Sequence, residues 1–181
     1  MHATICDMIT DLVQNSIEAR ATEINLNVEE TDTNLSVVIT DNGKGMNAET
    51  LEKAKDPFYS DGQKHKHRNV GLGLPFLFQT AEMTGGTAAI ESKEGSGTTV
   101  TFNVDPAHVD LPQFGNFTTA AVTLMTYGFE GNLKIERNVN GKAYAVSKSE
   151  LTDVLGDLND TDNLVLLKEF IASQEEEVST F

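Results

Sequence analysis

Asp11 and Asn15 stand one helical turn apart near the start of the chain. From Thr4 to Ala19 the apolar residues Ile5, Met8, Ile9, Leu12, Val13 and Ile17 recur at helical spacing, which predicts an amphipathic helix with one buried stripe. Asp7, Asp11, Asn15 and Glu18 fall on the opposite side, so Asp11 and Asn15 share a face. An amide oxygen is a hard, neutral ligand that suits Mg2+ and also reaches phosphates. A carboxylate one turn earlier can order a metal-bound or attacking water. The same residues on an isolated helix also describe an ordinary solvated face. A second cluster, Asp41-Asn-Gly-Lys-Gly45-Met46, offers a carboxylate that can accept a hydrogen bond from the exocyclic amine of adenine, where guanine has a carbonyl. Gly43 and Gly45 permit the close backbone approach that a flat base needs. By itself the segment also reads as a common turn. A third, Gly71-Leu72-Gly73-Leu74, runs into an apolar stretch with Pro75 near its first turn. Glycine-rich backbone entering a helix N-terminus offers N–H groups and a favourable dipole to phosphate oxygens. It is not a P-loop, because the chain lacks Gly-x-x-x-x-Gly-Lys-Ser/Thr.

The elements that must hold these residues are legible around them. Ile24, Leu26 and Val28 alternate with polar residues, Thr31 to Asn34 form a polar turn, and Leu35 to Thr40 make a second apolar strand. This hairpin delivers Asp41 to a strand end. Gly85 to Val104 reads as two strands joined by a turn at Gly95-Ser-Gly97. Between Asp56-Pro-Phe-Tyr-Ser60 and Gly71 lies a stretch with Lys64, Lys66 and Arg68, flanked by His65 and His67. Its cations can meet phosphates, and it reads equally well as a solvated loop.

The ordered segments Asp11-Leu-Val-Gln-Asn15-Ser-Ile-Glu-Ala19, Asp41-Asn-Gly-Lys-Gly45-Met, Asp56-Pro-Phe-Tyr-Ser60 and Gly71-Leu-Gly73-Leu74, followed by Gly95-Ser-Gly97-Thr-Thr99, resemble the GHKL ATPases: DNA gyrase, the heat-shock chaperone ninety family, histidine kinases and MutL. The resemblance covers roughly residues 1–105 and departs at Asn69, where the family usually has a glycine. It implies a Bergerat-type α/β two-layer sandwich, a mixed sheet with helices on one face. It further implies ATP and Mg2+ as ligands, Asp11 as the catalytic carboxylate and Asn15 as the Mg2+ ligand. The cofactor-binding set it implies is Asn15, Asp41, Gly43, Gly45, Met46, Lys64, Arg68, Gly71, Leu72, Gly73, Leu74 and Thr98. Thr98 or, second to it, Thr99 is expected to hydrogen-bond near adenine; a plain strand threonine is the alternative.

Beyond Pro106 the resemblance stops. Phe117 to Tyr127 is an apolar run, a hairpin follows with Asn138-Val-Asn-Gly141 at its turn, and helical patterns cover Ser149 to Leu155 and Thr161 to Ser173. Residues 106–181 are expected to form a small α+β appendage that packs on the ATPase sheet or binds a partner, with Glu175-Glu-Glu177 as a solvated end. The 181 residues carry a net charge of −15. Residues 1–105 hold 8 cations and 16 anions, and residues 106–181 hold 5 and 12. Neither part is a basic arm, which argues against nucleic acid as a direct ligand. A single cysteine, Cys6, forbids an intrachain disulfide, and no signal peptide or bilayer-length apolar run is visible. A cytoplasmic protein without membrane contact is expected.

Two reactions fit the resemblance. One is phosphoryl transfer from ATP to a protein, as in histidine kinases and the anti-sigma serine kinases; with no acceptor helix ahead of the Asn15 helix, the acceptor is expected on another polypeptide. The other is ATP hydrolysis that drives a conformational switch. Asp11 is compatible with both. A third, non-enzymatic reading is an ATP sensor whose partner binding follows nucleotide state.

Overall fold

The computed structural model describes residues 4–55 and 73–180. Helix α1 (Ile5–Glu18) starts at Thr4 in a capping box, in which the Thr4 hydroxyl accepts from the Asp7 N–H and the Asp7 carboxylate accepts from the Thr4 N–H. Its next two N–H groups, of Ile5 and Cys6, donate to the carbonyls of Gln113 and Phe114 at 2.9 Å each. The donors that every helix start leaves over are thus satisfied by a distant stretch of chain. Gly115 makes that approach possible: at φ +93 its missing Cβ would lie 2.7 Å from the Thr4 hydroxyl oxygen.

Strands β1 (Glu23–Glu30) and β2 (Leu35–Asp41) form the expected hairpin, followed by α2 (Ala48–Ala54), α3 (Gly73–Thr84), β3 (Thr87–Lys93) and β4 (Gly97–Val104). Then come α4 (Phe117–Thr126), β5 (Asn132–Val139), β6 (Lys142–Ser147), α5 (Lys148–Leu155) and α6 (Thr161–Ser179). The six strands lie in the order β3-β4-β2-β1-β5-β6, antiparallel throughout except for the parallel β1–β5 pair. Ile24, Leu26 and Val28, Val37 and Ile39, Val100 and Phe102, and Leu133 and Ile135 are buried, whereas Glu23, Asn25, Asn27 and Glu29 are exposed. Alternation therefore puts the core on one face, where α1, α3, α4 and α6 pack. The fold is a two-layer α/β sandwich with a mixed sheet.

Residues after 105 continue this sheet. The β1–β5 ladder runs from Glu23–Asn132 to Glu30–Val139, and β6 forms the new edge through a two-residue turn with Asn140 at φ 51 and Gly141 at φ 88. Leu124, Met125, Leu133, Ile135, Leu167 and Ile171 join the core of the first hundred residues. Helix α2 carries no sequence signal because it buries no residue; the Asn47 cap and an exposed Glu49–Lys53 pair outline it. Helix α6 corrects one expectation. It runs on to Ser179, and Glu175 is not part of a solvated end: it accepts from the Tyr144 hydroxyl at 2.7 Å and lies 3.5 Å from Arg137 Nε. Val178, buried one turn nearly further on, anchors the final stretch of the helix.

Candidate nucleotide site

Strand parity turns Asp41 toward the helices along with Leu35, Val37 and Ile39, and leaves it 8% exposed. Its Oδ2 accepts from the Ser16 hydroxyl of α1 at 2.6 Å, and its Oδ1 from the Gly43 N–H at 2.8 Å. Each oxygen therefore has one neutral protein donor and keeps acceptor capacity for another. The loop that follows is clasped from three sides. At the end of α1, the Ala19 carbonyl accepts from the Lys44 N–H at 2.9 Å. At the start of β1, the N–H groups of Thr22 and Glu23 donate to Asn42 Oδ1 at 2.9 Å each. At the β3–β4 turn, the Gly95 N–H donates to the Lys44 carbonyl at 2.7 Å and the Met46 N–H to Ser92 Oγ at 2.8 Å. Gly45, at φ +64, has no room for a side chain, since a Cβ would meet the Lys93 carbonyl at 2.0 Å.

Register puts the two threonines of β4 on opposite faces of the sheet. Thr98 lies opposite Asp41 and on the inward side with Val100 and Phe102, its hydroxyl 2.8 Å from Ser92 Oγ. Thr99 lies opposite Thr40 on the outer face. Neighbouring Gly97 is buried at φ +106, and a Cβ there would meet the Asp41 carbonyl at 1.9 Å.

Asp11 and Asn15 are both half-buried on α1. Gly73, the first residue of α3, comes against them: its Cβ would lie 3.3 Å from Asp11 Cβ and 3.9 Å from Asn15 Nδ2. Leu74, next in α3, is half-buried against the core. The structure thus groups Asp41, Gly43, Gly45, Met46 and Thr98 around one loop, and Asp11, Asn15 and Gly73 where α1 meets α3. Lys64, Arg68, Gly71 and Leu72, and the Asp56–Ser60 segment, lie outside the described residues. Ser16, Asn42 and Ser92 were missed by sequence reasoning. Only Ser16 left a signal there: it falls within the buried stripe, three and four residues after Val13 and Leu12, where a hydroxyl is out of place.

Among the described residues no group of three or more His, Cys, Asp or Glu side chains gathers to hold a metal unaided. Among the described residues, too, no helix is long and apolar enough to cross a membrane.

The fold and these groupings define a protein class: a helix-backed α/β sheet with a buried strand-end carboxylate beside a glycine loop. The profile of the family described as histidine kinase-, DNA gyrase B- and HSP90-like ATPase matches residues 2–108, and the chain belongs to that family, with a histidine-kinase-like ATP-binding domain. It is 32% identical over 96 residues to histidine protein kinase DivJ of Caulobacter vibrioides, covering 51% of this chain and 16% of that protein. To sporulation kinase B of Bacillus subtilis it is 36% identical over 107 residues, covering 58% of this chain and 23% of that one. The chain thus spans less than a quarter of either relative. Among solved structures, the N-terminal domain of a DNA repair protein aligns with a TM-score of 0.54 at 16% identity, over 87% of this chain and 58% of that chain. That likeness is one of fold, and it covers more of the chain than the family match does.

Proposed function

We propose that the chain is a Mg2+-dependent ATP-binding protein that acts on a separate protein partner, as a phosphotransfer kinase or a regulatory ATPase. Residues 1–105 form the ATPase domain, and residues 106–181 are an appended segment. The observation that carries this reading is the Asp41 carboxylate, buried and held by two neutral donors. Such a carboxylate favours a ligand amine and disfavours a ligand carbonyl. In this reading Asp41 accepts from the adenine amine, with the Thr98 hydroxyl beside it and Gly43, Gly45 and Met46 shaping the base slot. The amide oxygen of Asn15 fits Mg2+, which is commonly held by one or two protein ligands together with substrate phosphates. The ion, when bound, neutralises charge on the transferring phosphoryl group. Asp11 orients the attacking oxygen and takes its proton. Gly73 lets the start of α3 come close to the Asp11–Asn15 face, and Lys64, Arg68, Gly71, Leu72 and Leu74 are assigned to the phosphate side. A net charge of −15 fits a protein partner better than nucleic acid or an anionic membrane, and a cytoplasmic location agrees with it.

Calorimetric titration with ATP and GTP, each with Mg2+ and with chelator, tests the reading. Binding of ATP that needs Mg2+ and exceeds GTP is expected; equal affinities for the two nucleotides would sink the role of Asp41. Labelled ATP then separates free phosphate from a labelled partner. A sensor reading is favoured by one further feature. Asn42 binds Thr22, the Thr22 carbonyl accepts from the Asn132 N–H at 2.8 Å, and Asn132 Oδ1 accepts from the Ser149 N–H at 3.1 Å in the first turn of α5. This links the base loop to the C-terminal segment, and nucleotide binding without turnover would select that reading.

A further inference from the structure

The sheet ends at β6, whose one ladder partner among the described strands is β5. In a hairpin closed by a two-residue turn the flanking pair, here Val139 and Lys142, exchanges hydrogen bonds, and every second pair after it does the same. Ala143 and Ala145 therefore direct their N–H and C=O groups away from β5, toward the free edge. Beyond Lys142 the edge is bare in side chains as well. The strand at the other end of the sheet, β3, exposes Glu91 and Lys93, charges of the kind that guard edges, whereas β6 carries one exposed charge, Lys142 beside its turn, and then exposes Ala143 and Ala145 before α5.

A groove of about 490 Å3 runs along this edge, lined by Ala145, by Leu151, Val154 and Leu155 of α5, and by Leu166 and Phe170 of α6. Val154 is 82% exposed, Leu166 50% and Phe170 42%. Val146, of opposite parity to Ala145, lines it too, so the groove opens on the edge of the strand and not on one face. Its surroundings are acidic. Glu150 lines it and Asp153 is exposed on α5; by helical spacing Asp162, Glu169 and Glu177 fall on the Leu166–Phe170 flank of α6 and Lys168 on the other. From residue 148 onward there are nine acidic residues against two lysines, and one of those, Lys148, points its ammonium at the carbonyls of Tyr127 and Phe129 at 2.8 and 3.2 Å.

We propose that this edge is a docking site for an extended segment of a partner protein with alternating basic and apolar residues, which adds as a seventh strand beside β6. Backbone pairing with Ala143 and Ala145 supplies the fixed geometry. Apolar side chains on the inner side of the added strand fill the groove, and its cations meet the acidic rim. A second copy of this chain is disfavoured, because it would bring two acidic rims together. An amphipathic helix would fill the groove yet leave the edge N–H groups unpaired. The proposal does not depend on the nucleotide reading.

The test uses the full chain and three labelled peptides: an alternating Lys-Val heptapeptide, its Glu-Val counterpart, and a cationic amphipathic helical peptide. The Lys-Val peptide is expected to bind at least about tenfold tighter than either of the others in fluorescence anisotropy. It should also slow hydrogen exchange at the Ala143 and Ala145 amides. Phe170→Asp should weaken it about tenfold, with circular dichroism and nucleotide affinity unchanged, because the side chain is already part-exposed. Ala145→Pro removes an edge N–H without touching the β5 ladder and should abolish binding. Equal binding of the Lys-Val and Glu-Val peptides overturns the proposal. So does tighter binding of the helical peptide without protection at Ala143 and Ala145, or protection in the peptide-free protein that rises with concentration alongside a sedimenting dimer.

Discussion

Asp41 and Arg137 both lie buried on the helix side of the same sheet, and their surroundings differ: among the described residues Arg137 has countercharges and ring faces but no hydrogen-bond partner at Nε or Nη1, whereas Asp41 has only neutral donors. Arg137, 3% exposed, donates from Nη2 to Glu30 Oε2 at 2.5 Å, lies 3.5 Å from Glu175, and sits 4.9 and 5.2 Å from the ring centres of Phe114 and Phe117. Its countercharges come from β1 and α6, and its aromatic neighbours from the stretch that leads into and begins α4. Asp41 takes its hydrogen bonds from a hydroxyl and a backbone N–H, both neutral. A buried charge that the chain itself neutralises joins parts of the structure. One met only by neutral donors retains the strength to attract a donor from outside.

The largest effect expected from this contrast is on stability. Arg137→Ala leaves Glu30 and Glu175 without their shared cation and opens space beside two phenyl rings; a loss of about 3–5 kcal/mol is expected, read from urea unfolding followed by circular dichroism. Asp41→Asn should change the same midpoint far less. A reversal of that order would make Asp41 the structural charge and Arg137 the dispensable one.

Nucleotide affinity should show the opposite ranking. If Asp41 reads the adenine amine as proposed, Asp41→Asn puts a donor where that amine needs an acceptor, and the loss of a charge-assisted bond worth about 1.5–3 kcal/mol is expected, roughly 10- to 150-fold in ATP affinity. Calorimetry at a temperature where both variants are folded separates the two sites. An ATP affinity unchanged in Asp41→Asn would remove the base-reading role.

The Arg137 region should also make stability sensitive to alkali. Burial pushes the Cys6 thiol from 9.0 up to about 12, against a smaller lowering by Arg137. The Tyr144 phenol is likewise raised, by burial first and then by its hydrogen bond to Glu175. Both groups keep their protons longer in the folded chain than in the unfolded one. Their contribution is therefore complete below the unfolded pKa and is lost as pH climbs toward the folded one, at about 1.4 kcal/mol per pH unit for each group titrating only in the unfolded chain. Urea midpoints measured between pH 8 and pH 11 should fall accordingly, and Cys6→Ala should flatten the decline. A flat profile in the parent protein would mean that neither group is shielded.

Legibility in the sequence follows the same contrast. Helix α1 and the β1–β2 hairpin could be read from apolar period alone, whereas Asp41, Asn15 and the glycines could be singled out as candidates only because their short segments follow one another in a particular order. Arg137 could not. Its strand, Leu133-Lys-Ile-Glu-Arg137, alternates in a way that predicts an inward residue at 137, but Glu30 is 107 residues away and Glu175 lies in a stretch that looks like a polar tail. Ser16 illustrates the same limit within the site, since its partner Asp41 is 25 residues distant and becomes its neighbour through helix-on-sheet packing. The parallel β1–β5 pairing, which merges the last third of the chain with the sheet, likewise has no local signature, because the residues it joins are more than a hundred positions apart.

The smallest expected effect separates the two threonines next to Asp41. Thr98 faces the helices opposite Asp41, and its hydroxyl already shares a hydrogen bond with Ser92, which in turn holds the Met46 N–H. Thr98→Val keeps shape and strand propensity but deletes that hydroxyl, so it removes a polar group beside the proposed base slot and loosens the Ser92 contact. A loss of about 1 kcal/mol in ATP binding, near fivefold, is expected. Thr99→Val changes the outer face, where the nearest polar partner is the Thr40 hydroxyl at 3.5 Å, and should leave affinity unchanged. Equal losses in both variants, measured by the same titration, would mean that β4 affects the nucleotide through strand stability alone, and Asp41 would then read the base without a hydroxyl at its side.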